Sequence, residues 1–218
     1  MSGIDFNILN KTICLCAKRA SGKSQLLRYI LLKNKHLFKK VFCICPTEHI
    51  NKFYEDVIPK ENIFEEYKEP WIQQLMKKMG DINSGKSDKE AYHILLILDD
   101  CCSDNNFHQS KSLKQLFTKG RHYKITLIIT AQYPYHIPPI ARVNCDYICV
   151  GQLNTQGLEI LTNEFLSGSL SKQDFIKMYY KSTNDYKFLL INNNSTANND
   201  DLNSFYGILK VPQDYVKK

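Results

Sequence analysis

The chain has 218 residues, 43% hydrophobic and 23% charged, a balance that suits one substantial core and excludes a disordered chain. No apolar run approaches the roughly 18–20 residues of a bilayer span, and the opening MSGIDFNILN lacks the basic start of a signal peptide, so the expectation is a soluble intracellular protein. Its 29 Lys plus Arg outnumber its 22 Asp plus Glu for a net charge of +7, which suggests a polyanionic partner without specifying one.

In chain order, TICLCA (12–17), KVFCIC (40–45), HILLILDD (93–100), ITLIITA (125–131), CDYICVG (145–151) and YKFLLIN (186–192) read as strands. Most are continuous apolar runs rather than alternating ones, the pattern of strands buried on both faces in a parallel sheet. Between them, GKSQLLRYILLKN (22–34), EHINKFYEDVI (48–58), EPWIQQLMKKMG (69–80), SKSLKQLFTKG (110–120), NTQGLEILTNEFLSG (154–168) and SKQDFIKMYYKS (171–182) carry apolar residues at helical spacing. The alternation predicts one α/β domain over 1–218, with a mostly parallel central sheet flanked by helices. Its core runs over about 10–192. GDINSGKSDKE (80–90) and the polar tract 192–201 read as flexible loops, and 202–218 as a closing edge strand with a basic tail.

The eight cysteines come in close pairs, Cys14/Cys16, Cys43/Cys45, Cys101/Cys102 and Cys145/Cys149. The first two pairs lie at C-x-C spacing inside apolar runs rather than on C-x-x-C knuckles. Residues i and i+2 of a strand share a face, so these read as small buried hydrophobes in a reducing compartment.

AKRASGKS (17–24) follows the first strand and opens the first helix. It approaches G-x-x-x-x-G-K-[ST], in which a curled backbone turns its N–H groups toward a phosphate, the lysine spans the β- and γ-phosphates and the hydroxyl holds Mg²⁺. Gly22, Lys23 and Ser24 are in place; Ala17 stands where the first glycine belongs. Alanine adds one methyl group, at a cost of about 1 kcal/mol if the position requires positive φ. Ala17, Lys18, Arg19, Ala20, Ser21, Gly22, Lys23, Ser24 and Gln25 are thus the candidate nucleotide-binding residues. A second SGKS, with Gly85, Lys86 and Ser87, has no strand before it and reads as loop.

A phosphate loop hydrolyses nothing without an acidic group at a neighbouring strand tip. HILLILDD ends in Asp99 and Asp100. Asp99 is the candidate for the metal, shared with Ser24, and Asp100 for the base that polarises water. ITLIITA ends at Gln132, whose amide is placed to sense a γ-phosphate. Arg121 precedes that strand, on the opposite edge, too far to serve its own subunit's nucleotide but placed to reach a neighbour's. Arg142, ahead of VNCDYICV, is a second candidate of this kind.

Taken together, AKRASGKS, ILLILDD and GRHYKITLIITAQ (120–132) resemble the genome-packaging ATPases of large double-stranded DNA viruses, of the poxvirus and virophage type within the FtsK–HerA superfamily. The resemblance spans about residues 10–151 and no motif matches beyond it. It implies a RecA-like P-loop (ASCE) fold in which the Gln132 strand is inserted between the loop strand and the acidic strand. It implies ATP and Mg²⁺, with Lys23 and Ser24 on phosphate and metal, Asp99 on the metal, Asp100 as base, Gln132 as sensor and Arg121 as trans-acting finger. It further implies a homo-oligomeric ring acting on double-stranded DNA, a capsid or portal-vertex partner, and a place at the viral assembly site in the host cytoplasm or on the virion; the short stretch ahead of the first strand leads us to expect a bare motor rather than one with an added clamp or nuclease domain. Two other readings stay open at this point: a small-molecule P-loop kinase, against which no arginine-rich lid is seen, and a non-catalytic nucleotide-dependent assembly switch, for which Ala17 is the only hint.

Overall fold

The apolar runs become strands wherever both of their faces can be covered. The computed structural model describes Ile4 and residues 6–103, 105–166, 170–194 and 202–216. In chain order its elements are β1 (Thr12–Cys16), α1 (Lys23–Asn34), β2 (Lys40–Ile44), α2 (Glu48–Asn51), β3 (Ile63–Phe64), α3 (Glu69–Asn83), β4 (Ile94–Leu98), α4 (Asn105–Gln109), α5 (Lys111–Lys119), β5 (Ile125–Ala131), α6 (Pro139–Asn144), β6 (Tyr147–Val150), α7 (Thr155–Phe165), α8 (Lys172–Thr183), β7 (Lys187–Asn192), α9 (Leu202–Phe205) and β8 (Tyr206–Lys210). Among the described residues no helix is long and apolar enough to cross a membrane.

The strands form one sheet in the order β3-β2-β4-β5-β1-β6-β7-β8. From β3 to β6 every pairing is parallel, and β7 and β8 close the sheet antiparallel. Each parallel crossover needs a connection that packs back on the sheet, and helices cover both faces. On one face Leu26, Leu27, Ile30 and Leu31 of α1 pack on Ile13, Leu15, Leu95, Ile97 and Ile128. On the other, α3, α5, α7 and α8 bury Cys14, Cys16, Leu96, Leu98, Leu127 and Ile129. Cys14 and Cys16 therefore share one face, Cys43 and Cys45 the other, and all eight cysteines are buried and free.

Several helices start where their sequences cap them. Ser110 accepts from the Leu113 N–H, Asn154 from Gly157 and Ser171 from Asp174, each satisfying a donor of the first turn.

The structure departs from expectation in several places, among them the short helices α4 and α6, where none was expected. The helix expected over 48–58 stops at Asn51, because Lys52 turns left-handed (φ 44°) and the buried Glu48 carboxylate accepts from the N–H groups of Tyr54 and Glu55. The loop expected from residue 80 starts later: α3 continues through Asn83, whose side chain bonds the backbone of Tyr92. The two-residue β3 extends the sheet at an edge where no strand was expected. The closing strand expected in 202–218 is β8; most of the polar tract 192–201 lies outside the described residues.

Candidate active site

In a parallel α/β sheet, ligands meet the carboxyl ends of the strands. Here β1, β5 and β4 lie side by side in parallel register, with Cys16 opposite Ala131 and Leu98 opposite Ile129. The residues that follow these three ends are the phosphate loop, Gln132 and Asp99–Asp100.

The loop leaves β1 at Ala17, which is fully buried. Its N–H donates to the Ala131 carbonyl at 3.2 Å, and the Lys18 N–H donates to the Gln152 carbonyl at 2.8 Å. Ala17 is not among the positive-φ residues, so the strain expected at this departure does not arise. The left-handed positions are Ala20 (φ 59°) and Gly22 (φ 86°). The methyl group of Ala17 is accommodated by Gly151, where an added Cβ would lie 2.7 Å from the Ala17 Cβ. Lys18, Arg19 and Ala20 are exposed, while the buried Ser21 donates from its hydroxyl to the Lys18 carbonyl. Gly22 caps α1 without a side-chain hydrogen bond, so the first-turn N–H groups and the positive end of the helix dipole face the loop's concavity. Ser24 and Gln25, both half-buried, complete that turn.

Lys23 is buried, and its Nζ lies 2.6 Å from Oδ1 of Asp100. Gln132 donates from Nε2 to Oδ2 of the same carboxylate at 3.5 Å, the outer limit of a hydrogen bond. Three residues from three segments therefore converge on one point.

Asp99 lies deeper. The Thr130 hydroxyl donates to its Oδ1 at 2.5 Å and the Tyr54 hydroxyl to its Oδ2 at 2.8 Å. Burial raises its pKa, against the lowering influence of these two hydroxyls. Thr130 also accepts the Asp100 N–H at 3.0 Å, fixing that residue in a left-handed conformation (φ 52°) that aims its side chain at Lys23. A carboxylate offers about four lone-pair directions, so Asp99 keeps acceptor capacity beyond these two hydroxyl bonds. The donor set, a hydroxyl and a carboxylate, suits Mg²⁺.

Arg121 is exposed at the other end of β5. The seven-residue strand separates it from Gln132 by about 23 Å at the usual rise. There it lines a polar cavity of about 150 Å³ with Thr12, Asn144 and Asp146. Arg142 does not lie free on that edge. Its guanidinium pairs bidentately with Glu164 at 2.7 Å and donates to the carbonyls of Ile137 and Pro134. The second SGKS follows α3 and is exposed, with Ser87 bonded to Glu90.

Sequence reasoning missed Tyr54, Thr130 and Gly151. Thr130 had a visible signal, as a polar residue two positions before the strand-tip Gln132. Tyr54 had none, since it reaches Asp99 only because α2 breaks.

A parallel sheet whose Gln132 strand separates the phosphate-loop strand from the acidic strand is the RecA-like P-loop arrangement, and the chain is a P-loop protein of that class. It belongs to the poxvirus A32 protein family, whose profile matches residues 6–207, well past residue 151 where the recognisable motifs end. Protein 075L of Invertebrate iridescent virus 6 is 32% identical over 203 residues, covering 92% of this chain and 77% of that one. Among solved structures, the DNA-packaging ATPase B204 of Sulfolobus Turreted Icosahedral Virus superposes with a TM-score of 0.65 at 17% identity, over 94% of this chain and 98% of that one. The genome-packaging NTPase B204 of Sulfolobus turreted icosahedral virus 2, in complex with AMPPCP, gives 0.62 at 18% identity, over 92% and 97%.

Proposed function

We propose that this protein is an ATP-hydrolysing motor that drives viral double-stranded DNA into a preformed capsid. The convergence of Lys23, Asp100 and Gln132 at adjoining strand tips carries the catalytic half of that reading. Family membership and the likeness to B204, named for genome packaging, support the biological half.

The loop backbone and the N-terminus of α1 bind the phosphates, and Lys23 neutralises the β- and γ-groups. Ser24 and Asp99 would hold Mg²⁺, which supplies further neutralisation of phosphate charge. Asp100 accepts the proton of the attacking water, which it can do once Lys23 has turned from its carboxylate to phosphate. Gln132, bonded to the same carboxylate, orients that water and reports on the γ-phosphate. Arg121, on the far edge, completes the site of a neighbouring copy in a ring; Arg142 is committed to Glu164. The net charge of +7 suits a sequence-independent grip on DNA phosphates. A capsid or portal-vertex protein would be the second partner, at the viral assembly site in the host cell.

The test is phosphate release against protein concentration, with and without duplex DNA. Specific activity should rise with concentration and with DNA. Arg121→Ala should lose the concentration-dependent rise and keep nucleotide binding. A flat profile in an otherwise active enzyme overturns the trans role; activity indifferent to DNA, with a phosphorylated small-molecule acceptor instead, overturns the motor.

A further inference from the structure

Tyr186 is the residue whose placement the fold alone does not account for. After α8 the chain turns into β7 through Asn184, Asp185 and Tyr186, closed by a bond from the Lys187 N–H to the Asn184 carbonyl at 3.1 Å. Asp185 and Tyr186 are both left-handed, at φ 55° and 56°. Asp tolerates this conformation, but a tyrosine there costs on the order of 1 kcal/mol relative to glycine. Packing does not offset the cost, because Tyr186 is 68% exposed. Strained positions held without a packing gain cluster at ligand sites.

What the turn achieves is to bring the ring onto the phosphate loop. A Cβ built on Gly22 would lie 3.3 Å from Cδ1 of Tyr186. Gly22 therefore meets two demands, a positive φ and the close approach of an aromatic ring. The ring also walls a cavity of about 450 Å³ whose other lining includes Gln25, Lys210, Val211, Gln213 and Val216. That volume is in the range of a small-molecule site. Gly22 and Gln25, from the phosphate loop and the first turn of α1, also line it. The walls combine two valines with two side-chain amides and the charged Asp185 and Lys210; the valines and the tyrosine suit the faces of a flat heteroaromatic ring, and the polar groups its edges.

We propose that Tyr186 is the stacking platform for the base of the bound nucleotide. The base lies in the cavity between Tyr186 and the segment Lys210–Val216, with the amides of Gln25 and Gln213 facing its edge. The inference rests on the loop taking a triphosphate. It adds that affinity for a nucleoside over a bare polyphosphate resides in one exposed, strained tyrosine from the far end of the chain.

Calorimetric titration of the full chain with ATP and with inorganic tripolyphosphate, both with magnesium, tests it. The variants are Tyr186→Phe, which keeps a ring, and Tyr186→Asn, which removes the ring but tolerates the left-handed turn. Thermal melts establish that each is folded. Tyr186→Asn should bind ATP about 10- to 100-fold more weakly, Tyr186→Phe like wild type, and all three should bind tripolyphosphate equally. ATP binding unchanged in Tyr186→Asn overturns the platform, as does an equal weakening toward tripolyphosphate. A wild type that binds neither ligand overturns the underlying nucleotide reading instead.

Discussion

The Lys23 ammonium lies 2.6 Å from Oδ1 of Asp100, joining the phosphate loop to the acidic strand across the intervening β5. The lysine is buried and the carboxylate partly open, with side-chain exposures of 8% and 37%. A carboxylate paired with a buried lysine must be displaced when that lysine turns to phosphate. If Asp100 is the proposed base, binding a triphosphate and freeing that base are one event.

That coupling separates the two residues by experiment. Lys23→Ala should abolish triphosphate binding measured by fluorescence titration with a labelled nucleotide. Asp100→Asn should retain binding and lose hydrolysis by about 100-fold or more, the usual contribution of a positioned base. Phosphate release at the wild-type rate in Asp100→Asn would remove the base assignment.

Tyr54 tests whether Asp99 needs its supporting hydroxyl. Its O–H donates 2.8 Å to Oδ2 of Asp99 from a fully buried position. Tyr54→Phe preserves the ring and deletes the donor. Activity should fall about 10- to 100-fold, as when an outer partner of a metal-binding group is removed. The magnesium concentration for half-maximal activity should rise, a readout that a merely structural tyrosine would not move. Unchanged magnesium dependence refutes the role.

Tyr54 also shows what the sequence conceals. The loop, Asp99, Asp100 and Gln132 were legible because each follows an apolar run at a strand end, and the sheet order then brings the ends together. Tyr54 sits in what reads as a continuous amphipathic helix. A left-handed Lys52 and the buried Glu48 carboxylate, neither marked by glycine or proline, end that helix and send the tyrosine inward. Tyr186 is hidden for the same reason, since its turn reads Asn-Asp-Tyr. Local pattern reports which segments are apolar. It does not report where a non-glycine residue accepts positive φ, nor which distant residues touch.

The thiols supply a test of the core with a pH dependence. Burial, assisted by the negative Asp99, pushes Cys45 up to about 11, and burial pushes Cys102 up to about 12. Below about pH 7.5 these thiols keep their protons whether the chain is folded or unfolded, given an ordinary thiol near 8.5, and they contribute no pH dependence. Between about pH 8 and 11 the unfolded chain ionises them and the native chain does not, so stability falls as pH rises. Urea midpoints should be level from pH 6 to 7.5 and drop above about 8. At pH 8 an aromatic disulfide reagent should leave the native protein unmodified and titrate eight thiols in urea. Rapid labelling of the native protein would refute the buried placement.

The alanine that opens the phosphate loop is matched by a glycine on the next strand's exit. Ala17 is fully buried, and a Cβ at Gly151 would meet its methyl at 2.7 Å and Phe188 Cε1 at 2.8 Å. The Gly151 N–H donates to the Cys16 carbonyl at 2.9 Å, so a clash here is felt where the loop leaves β1. Gly151→Ala should cost about 1–3 kcal/mol in urea unfolding, as overpacking of a filled core does, and should weaken nucleotide binding. Ala17→Gly alone should cost about 1 kcal/mol through the lost methyl and added chain freedom. Combined, the two should cost less than their sum by about 0.5 kcal/mol or more, the sign of residues in direct contact. Recovery should stay incomplete, because Phe188 still opposes the new methyl. Strict additivity would mean that Ala17 and Gly151 do not compete for the same space, and that some other contact admits alanine at the head of the loop.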